Sequence, residues 1–224
     1  MLPQKLNLHK KLIPVVRTTV NGKRCYTIDG TECFYPSVTT VLSCRGNKSL
    51  HEWRKRVGEE QANKISRIAS GTGTAFHTLC EMYLNADPRY DNQLRKIPQA
   101  TSRFKKFIPA LSNITAIYFQ EVAVVSPTLE VGGTIDLFGY YENKIAIIDF
   151  KTSRRKKSLE DIMSYFAQCY AYAVAIKDMY DIIVEDAVIL MSYEDGYEVF
   201  RQPIDYGKKF FLESRIMYAT GKRD

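Results

Sequence analysis

Apolar residues from Ser49 to Ser70 fall at helix-like spacing, with Leu50, Trp53, Val57, Ala62, Ile65 and Ile68 in phase. Gly71-Thr72-Gly73 punctuates this run. The segment TAFHTLCEMYLN then predicts a short helix closed by Asn85 and Asp87-Pro88, and a third helix is predicted over roughly Ile97 to Leu111. The pattern changes at Asn113. ITAIYFQEVAVVS, TIDLFGYY and KIAIIDFK are rich in β-branched and aromatic residues, and the links PTLEVGG and EN are short enough to favour antiparallel neighbours. Ser158 with Asp161 resembles a capping box and opens a helix whose apolar positions continue to about Tyr180. DAVILMSY and YEVFRQPI predict a hairpin around Glu194-Asp195-Gly196, and YGKKFFLESRIMYATG predicts a closing helix.

The first 35 residues read as short strands with turns, because Asn21-Gly22 and Asp29-Gly30 are hairpin signals. Pro36 and Ser37 suit a helix start. Helices, then three strands, a helix and two strands predict an α/β sandwich around a mixed sheet. One unit is expected over residues 1–224, with a hairpin and helical part at 1–112 and an α/β core at 113–224.

Composition narrows the partners. Lysine and arginine outnumber aspartate and glutamate by 32 to 25, a net charge of +7 that suits a polyanion and equally suits a plain basic surface. Five cysteines with no CxxC pair argue against a zinc ribbon and a disulfide framework, and for reduced thiols in a cytosol-like compartment. The N-terminal stretch lacks the features of a signal or transit peptide. No apolar run is long enough to span a bilayer, so no membrane partner is expected.

The chemistry lies in GGTIDLFGYYENKIAIIDFKTS. KIAIIDF is nearly continuous apolar, as in a strand buried on both faces, and its charges sit only at the end. Asp149 and Lys151 share one face of that strand, with Phe150 opposite. If the YYEN turn makes a hairpin, Asp136 on the preceding strand meets Asp149 at one end of the sheet. Two carboxylates there repel unless a cation lies between them, and Mg²⁺ takes oxygen ligands of this kind. Asp, Asp and Lys form a minimal kit for metal-assisted phosphodiester hydrolysis. A lone D-x-K, read by itself, is an exposed ion pair.

These residues resemble the PD-(D/E)XK nuclease superfamily in its RecB-like branch. The resemblance rests on four ordered motifs: Gly73-Thr74 with His77, Gly133 with Asp136, Asp149 with Lys151 and Thr152, and Gln168 with Tyr172. PSVTTVLS, the Trp53 segment and GTAFHTLCEMYL look most like the mitochondrial genome maintenance exonuclease group and its phage relatives. Ile135 stands where the superfamily name has proline. The resemblance implies a restriction-endonuclease-like core and an exonuclease that attacks DNA ends, preferring single strands, in replication, recombination or repair. A flap endonuclease with the same site and an inactive DNA-binding protein of the same fold are the alternatives. Mg²⁺ or Mn²⁺ is implied as cofactor, with Asp136, Asp149 and the Phe150 carbonyl as ligands. Lys151 positions the attacking water, His77 is a ligand or an immediate neighbour, and Gln168 and Tyr172 orient the lysine or the scissile phosphate. Glu121 either binds a second metal or caps a solvated strand position. Glu81, one turn after His77, is a weaker candidate.

Further readings concern DNA and partners. Thr152, Ser153, Arg154, Arg155, Lys156 and Lys157 follow the catalytic strand as a basic run expected to track phosphates. Trp53 either stacks on bases or is buried. No cysteine follows Cys169, so an iron–sulfur cluster is not expected. Replication or recombination proteins are candidate partners, and a bacterial or phage-infected cytosol is the expected location, with an organellar matrix as the less favoured alternative.

Overall fold

The structure, a computed structural model, describes residues 2–46, 48–96 and 98–221, without the side chains of 48–50 and 99. In chain order, β1 (Gln4–Lys5) precedes β2 (Val15–Val20), β3 (Lys23–Ile28) and β4 (Tyr35–Pro36). The helical part is α1 (Val38–Leu42), α2 (Lys48–Val57), α3 (Glu59–Leu84), α4 (Tyr90–Lys96) and α5 (Pro98–Leu111). There follow β5 (Ile114–Ser126), β6 (Val131–Tyr141), β7 (Lys144–Thr152) and α6 (Met163–Tyr180). The hairpin of β8 (Asp186–Ser192) and β9 (Tyr197–Pro203) leads into α7 (Lys208–Thr220).

A six-stranded mixed sheet has the order β1-β5-β6-β7-β8-β9, with β1–β5 and β7–β8 parallel and the other neighbours antiparallel. Helices cover both faces. On one face α6 packs over Ile135, Phe138, Ile145 and Ile147, together with Val38 and Val41 of α1 and Phe211 of α7. On the other, Phe76 and Leu79 of α3 and Phe104 and Phe107 of α5 pack over Leu137, Ala146, Ile148 and Phe150. Alternation along β7 divides its residues between these two cores, which is why the strand reads as continuously apolar.

The turns follow from backbone chemistry. Glu142 and Asn143 both adopt positive φ, 47° and 65°, the geometry of a tight two-residue hairpin turn between β6 and β7. Asn21 and Gly22, at 51° and 73°, do the same between β2 and β3. Ser37 Oγ accepts from Thr40 N at 3.0 Å and caps α1, as the expected helix start requires. Ser158 and Asp161 exchange reciprocal bonds of 3.1 and 3.3 Å ahead of α6.

The helical part departs from expectation in three places. The helix expected over Ser49 to Ser70 is broken at Gly58, whose φ of 84° lies in the left-handed region. Leu50, one of its apolar positions, has a side chain outside the described residues. Gly71-Thr72-Gly73 does not punctuate, because α3 runs through it. At Gly73 α3 passes beside the end of β7, where an added Cβ would be in ordinary contact with Thr152 Oγ1 at 3.7 Å. α4 was not anticipated; it precedes α5, whose expected first residue, Ile97, lies outside the described residues.

β2, β3 and β4 form a separate three-stranded sheet packed against β6. Tyr26 fits there because Gly132 has no side chain: an added Cβ would come within 2.5 Å of Tyr26 Cβ.

Candidate metal centre

The β6–β7 ladder runs from Tyr141 opposite Lys144 to Leu137 opposite Ile148 and stops there. One step further would place Asp136 across from Asp149. Instead, Asp136 Oδ2 accepts the Phe150 N–H at 2.8 Å, so the carboxylate satisfies a backbone donor that the ladder has released. The site opens at this end of the sheet, with α3 on one face and α6 on the other.

From α3, His77 Nδ1 lies 3.5 Å from Asp136 Oδ1 and 3.9 Å from Glu121 Oε1. One donor atom from each of His77, Glu121 and Asp136 lies within 4.8 Å of the others. Glu121 reaches this point from β5 through a backbone at φ 52°, a conformation rare for a non-glycine residue within a strand. Such strain persists where the surroundings enforce it.

Asp149 and Lys151 lie beside this trio. Asp149 is 1% exposed, and Lys151 Nζ pairs with its Oδ2. Oδ2 has no well-directed hydrogen bond, whereas Oδ1 accepts from Gln168 Nε2 at 3.0 Å. The same Gln168 nitrogen lies 3.4 Å from Tyr172 OH. The Lys151 ammonium stands 5.0 Å from the Tyr165 ring centroid, a cation–π contact. Tyr172 fits because Gly133 has no Cβ; one built there would lie 2.4 Å from Tyr172 Cε1.

The electrostatics follow from crowding and burial. Burial, the largest effect, lifts the Glu121 carboxyl to about 7, and repulsion from Asp136 adds to it. Burial likewise dominates at Asp149, pushing it up to about 6 against the attraction of Lys151. At His77, burial favours the neutral ring, but Asp136 outweighs it and the pKa rises. Asp136 is itself lowered: burial opposes its charge, and His77, Lys151 and the Phe150 N–H together prevail. For Lys151, burial is again the leading effect and lowers its pKa, yet Asp149 and Asp136 hold it above the ordinary lysine range.

The donor set suits a hard divalent cation. It offers carboxylate oxygens and one imidazole, and its Glu121 carboxyl resists ionisation when no further positive charge is present. Asp149 keeps a buried carboxylate oxygen short of a directed hydrogen bond.

The other expected residues are distributed around this point. Thr74, Thr78 and Glu81 line the mouth of a cleft of about 490 Å³ with Gly73, His77 and Glu121. Phe150 has its ring in the core and its N–H on Asp136. Thr152 abuts α3 at Gly73, while Arg154, Arg155 and Lys156 are exposed. Ser153 N donates to Ser192 O and Lys157 N donates to Tyr193 OH, so the basic run is anchored at both ends. Trp53 is half-buried on α2 and is not among the residues that line this cleft. Arg103, on α5, was not anticipated. It donates to Ser153 O at 3.1 Å, and no spacing rule connects it to the motifs.

Among the described residues, no helix is long and apolar enough to cross a membrane. No family model matches the chain. The chain is similar to mitochondrial genome maintenance exonuclease 1 of Xenopus tropicalis, at 27% identity over 173 residues. It is similar to the Homo sapiens protein of that name at 28% over 178 residues, and to the Mus musculus protein at 26% over 172. Each match covers 72% of this chain and 49–50% of the relative, so the chain spans about half the length of the curated relatives it matches. The solved structure of SSO0001 aligns at a TM-score of 0.45 and 16% identity, over 84% of this chain and 78% of that one, too loosely to argue from. The chain is thus related in sequence to proteins named as exonucleases, through weak but extended similarity.

Proposed function

We propose that the protein is a metal-dependent deoxyribonuclease of the PD-(D/E)XK type, an exonuclease that hydrolyses phosphodiester bonds at DNA ends and prefers single strands. The observation that carries this reading is the meeting of Asp136, His77 and Glu121 beside the Asp149–Lys151 pair at the split end of a hairpin. The similarity to proteins named as exonucleases supports it independently.

Asp136, Glu121 and His77 would hold the ion, Mg²⁺ or Mn²⁺, with Asp149 and the Phe150 carbonyl as further candidate ligands. When bound, such an ion would supply Lewis acidity toward a phosphate oxygen and acidify water. The chain's own residues do the positioning. Gln168 grips Asp149 Oδ1 and leaves Oδ2 to Lys151. Lys151, an ammonium under these conditions, donates to the attacking water or the phosphate and fixes its approach. Tyr172, held in the notch at Gly133, fixes Gln168. The run Thr152 to Lys157 leads the DNA backbone away from the reaction centre and contributes salt-dependent affinity without base preference.

Purified protein with Mg²⁺ is expected to degrade an end-labelled linear oligonucleotide, and Lys151→Ala to lose that activity. A covalently closed single-stranded circle should survive. Equal activity in the variant, or none in the wild type, overturns the reading. Cleavage of the circle converts it to an endonuclease.

A further inference from the structure

Beyond the metal centre, α3 continues along a second cleft of about 310 Å³, lined by Ala69, Thr72, Ser102, Arg103, Thr152, Arg154 and Glu194. Its wall is contiguous with the metal site, since Thr72 precedes Gly73 and Thr152 follows Lys151. A rise of about 1.5 Å per residue separates Thr72 from His77 by roughly 8 Å along α3, so the cleft lies next to the reaction centre and not on it.

Arg103 decides its character. The guanidinium is half-buried and is anchored by a bond of 3.1 Å to the Ser153 carbonyl, a neutral acceptor. No carboxylate pairs with Arg103 or Arg154 among the described residues. An arginine carries five N–H donors in a rigid fork, so one backbone acceptor leaves most of that fork unsatisfied. The opposing charge is the exposed Glu194, on a turn tied to α5 by Lys106 Nζ donating to the Glu194 carbonyl at 3.0 Å. Two arginines against one exposed carboxylate leave the cleft cationic. Thr72, Ser102 and Thr152 add hydroxyls.

Resting on the nuclease reading, we propose that this cleft is a phosphate subsite. In it, Arg103 and Arg154 grip a backbone phosphate of the nucleic-acid strand adjacent to the one being cut. Its tether to Ser153 fixes Arg103 relative to Lys151 two residues earlier, so this grip sets the register of the strand at the metal.

The test is a charge scan. Binding of a fluorescent single-stranded oligonucleotide is measured by anisotropy in EDTA, with each internal phosphate replaced in turn by a neutral methylphosphonate. Arg103→Ala should weaken binding of the unmodified strand about tenfold or more, the range for hydrogen bonds to a charged group. The salt slope should fall by about 0.7. Its effect should disappear for one methylphosphonate position only. Arg154→Ala, a change at an exposed side chain, should single out the same position, and Glu194→Gln should tighten binding. An Arg103 penalty independent of which phosphate is neutral, or no penalty, overturns this subsite while leaving the nuclease reading intact. A wild-type protein that neither cuts in Mg²⁺ nor binds in EDTA overturns both.

Discussion

Lys151→Met removes an ammonium while keeping most of its apolar stem, and it isolates the Asp149–Lys151 pair. Asp149 is 1% exposed and would keep only the 3.0 Å bond from Gln168. Burial lifts this carboxyl to about 6 even with Lys151 present, from about 3.9 in an unfolded chain. At about 1.4 kcal/mol per pH unit, that rise sets roughly 3 kcal/mol against the ionised folded form. A carboxyl raised by folding binds its proton more tightly in the fold. Stability from this group is therefore greatest at low pH, falls as pH rises from about 4, and levels above the folded value. In the wild type that decline ends near 6. In Lys151→Met the attraction that held the value down is gone, so the decline continues to higher pH. The deficit of the variant should be small near pH 5 and reach about 3–5 kcal/mol near pH 8, the cost of stranding one member of a buried pair. Urea unfolding in EDTA at the two pH values measures it. Equal deficits at both, or less than about 1 kcal/mol near pH 8, would refute the reasoning.

Glu121→Gly should raise stability by up to about 1 kcal/mol, because glycine adopts φ 52° freely, while weakening metal binding; calorimetry and thermal unfolding give the two signs. Gly133→Ala puts a Cβ 2.4 Å from Tyr172 Cε1, so kcat should fall at least tenfold for a stability loss of about 1–3 kcal/mol, read from single-turnover rates beside unfolding curves. Because Glu121 releases its proton near 7 and must be ionised to act as a ligand, Mn²⁺ affinity should climb between about pH 6 and 8; Glu121→Gln should lessen that rise and leave the share due to His77, whose ring must also lose its proton to bind.

Local chemistry made the β6–β7 hairpin legible. The apolar run of β7, the Glu142-Asn143 turn and the period-two placement of Asp149 and Lys151 are all short-range signals, and the structure realises them. The capping pair Ser158–Asp161 was equally local. The helical part was less legible because tertiary contact overrides punctuation there. Gly71 and Gly73 look like a break, yet α3 runs through them without a positive φ at either, whereas the real break at Gly58 sat inside an apolar rhythm that continued past it. The site differs from expectation in emphasis: Glu121 joins His77 and Asp136, while Asp149 is drawn toward Lys151 and Gln168. That allocation depends on the positive φ at Glu121 and on the end of the β6–β7 ladder, neither of which has a one-dimensional signature. Arg103 reaches Ser153 across 50 positions of sequence, a pairing that only the packing of α5 creates.

The most direct test of the account is a calorimetric titration of Mn²⁺ into the wild type and Asp136→Asn at about pH 8. A divalent-metal centre on His77, Glu121 and Asp136 predicts saturable binding that Asp136→Asn weakens at least tenfold. No saturable heat in the wild type, or equal affinity in the two proteins, would contradict it.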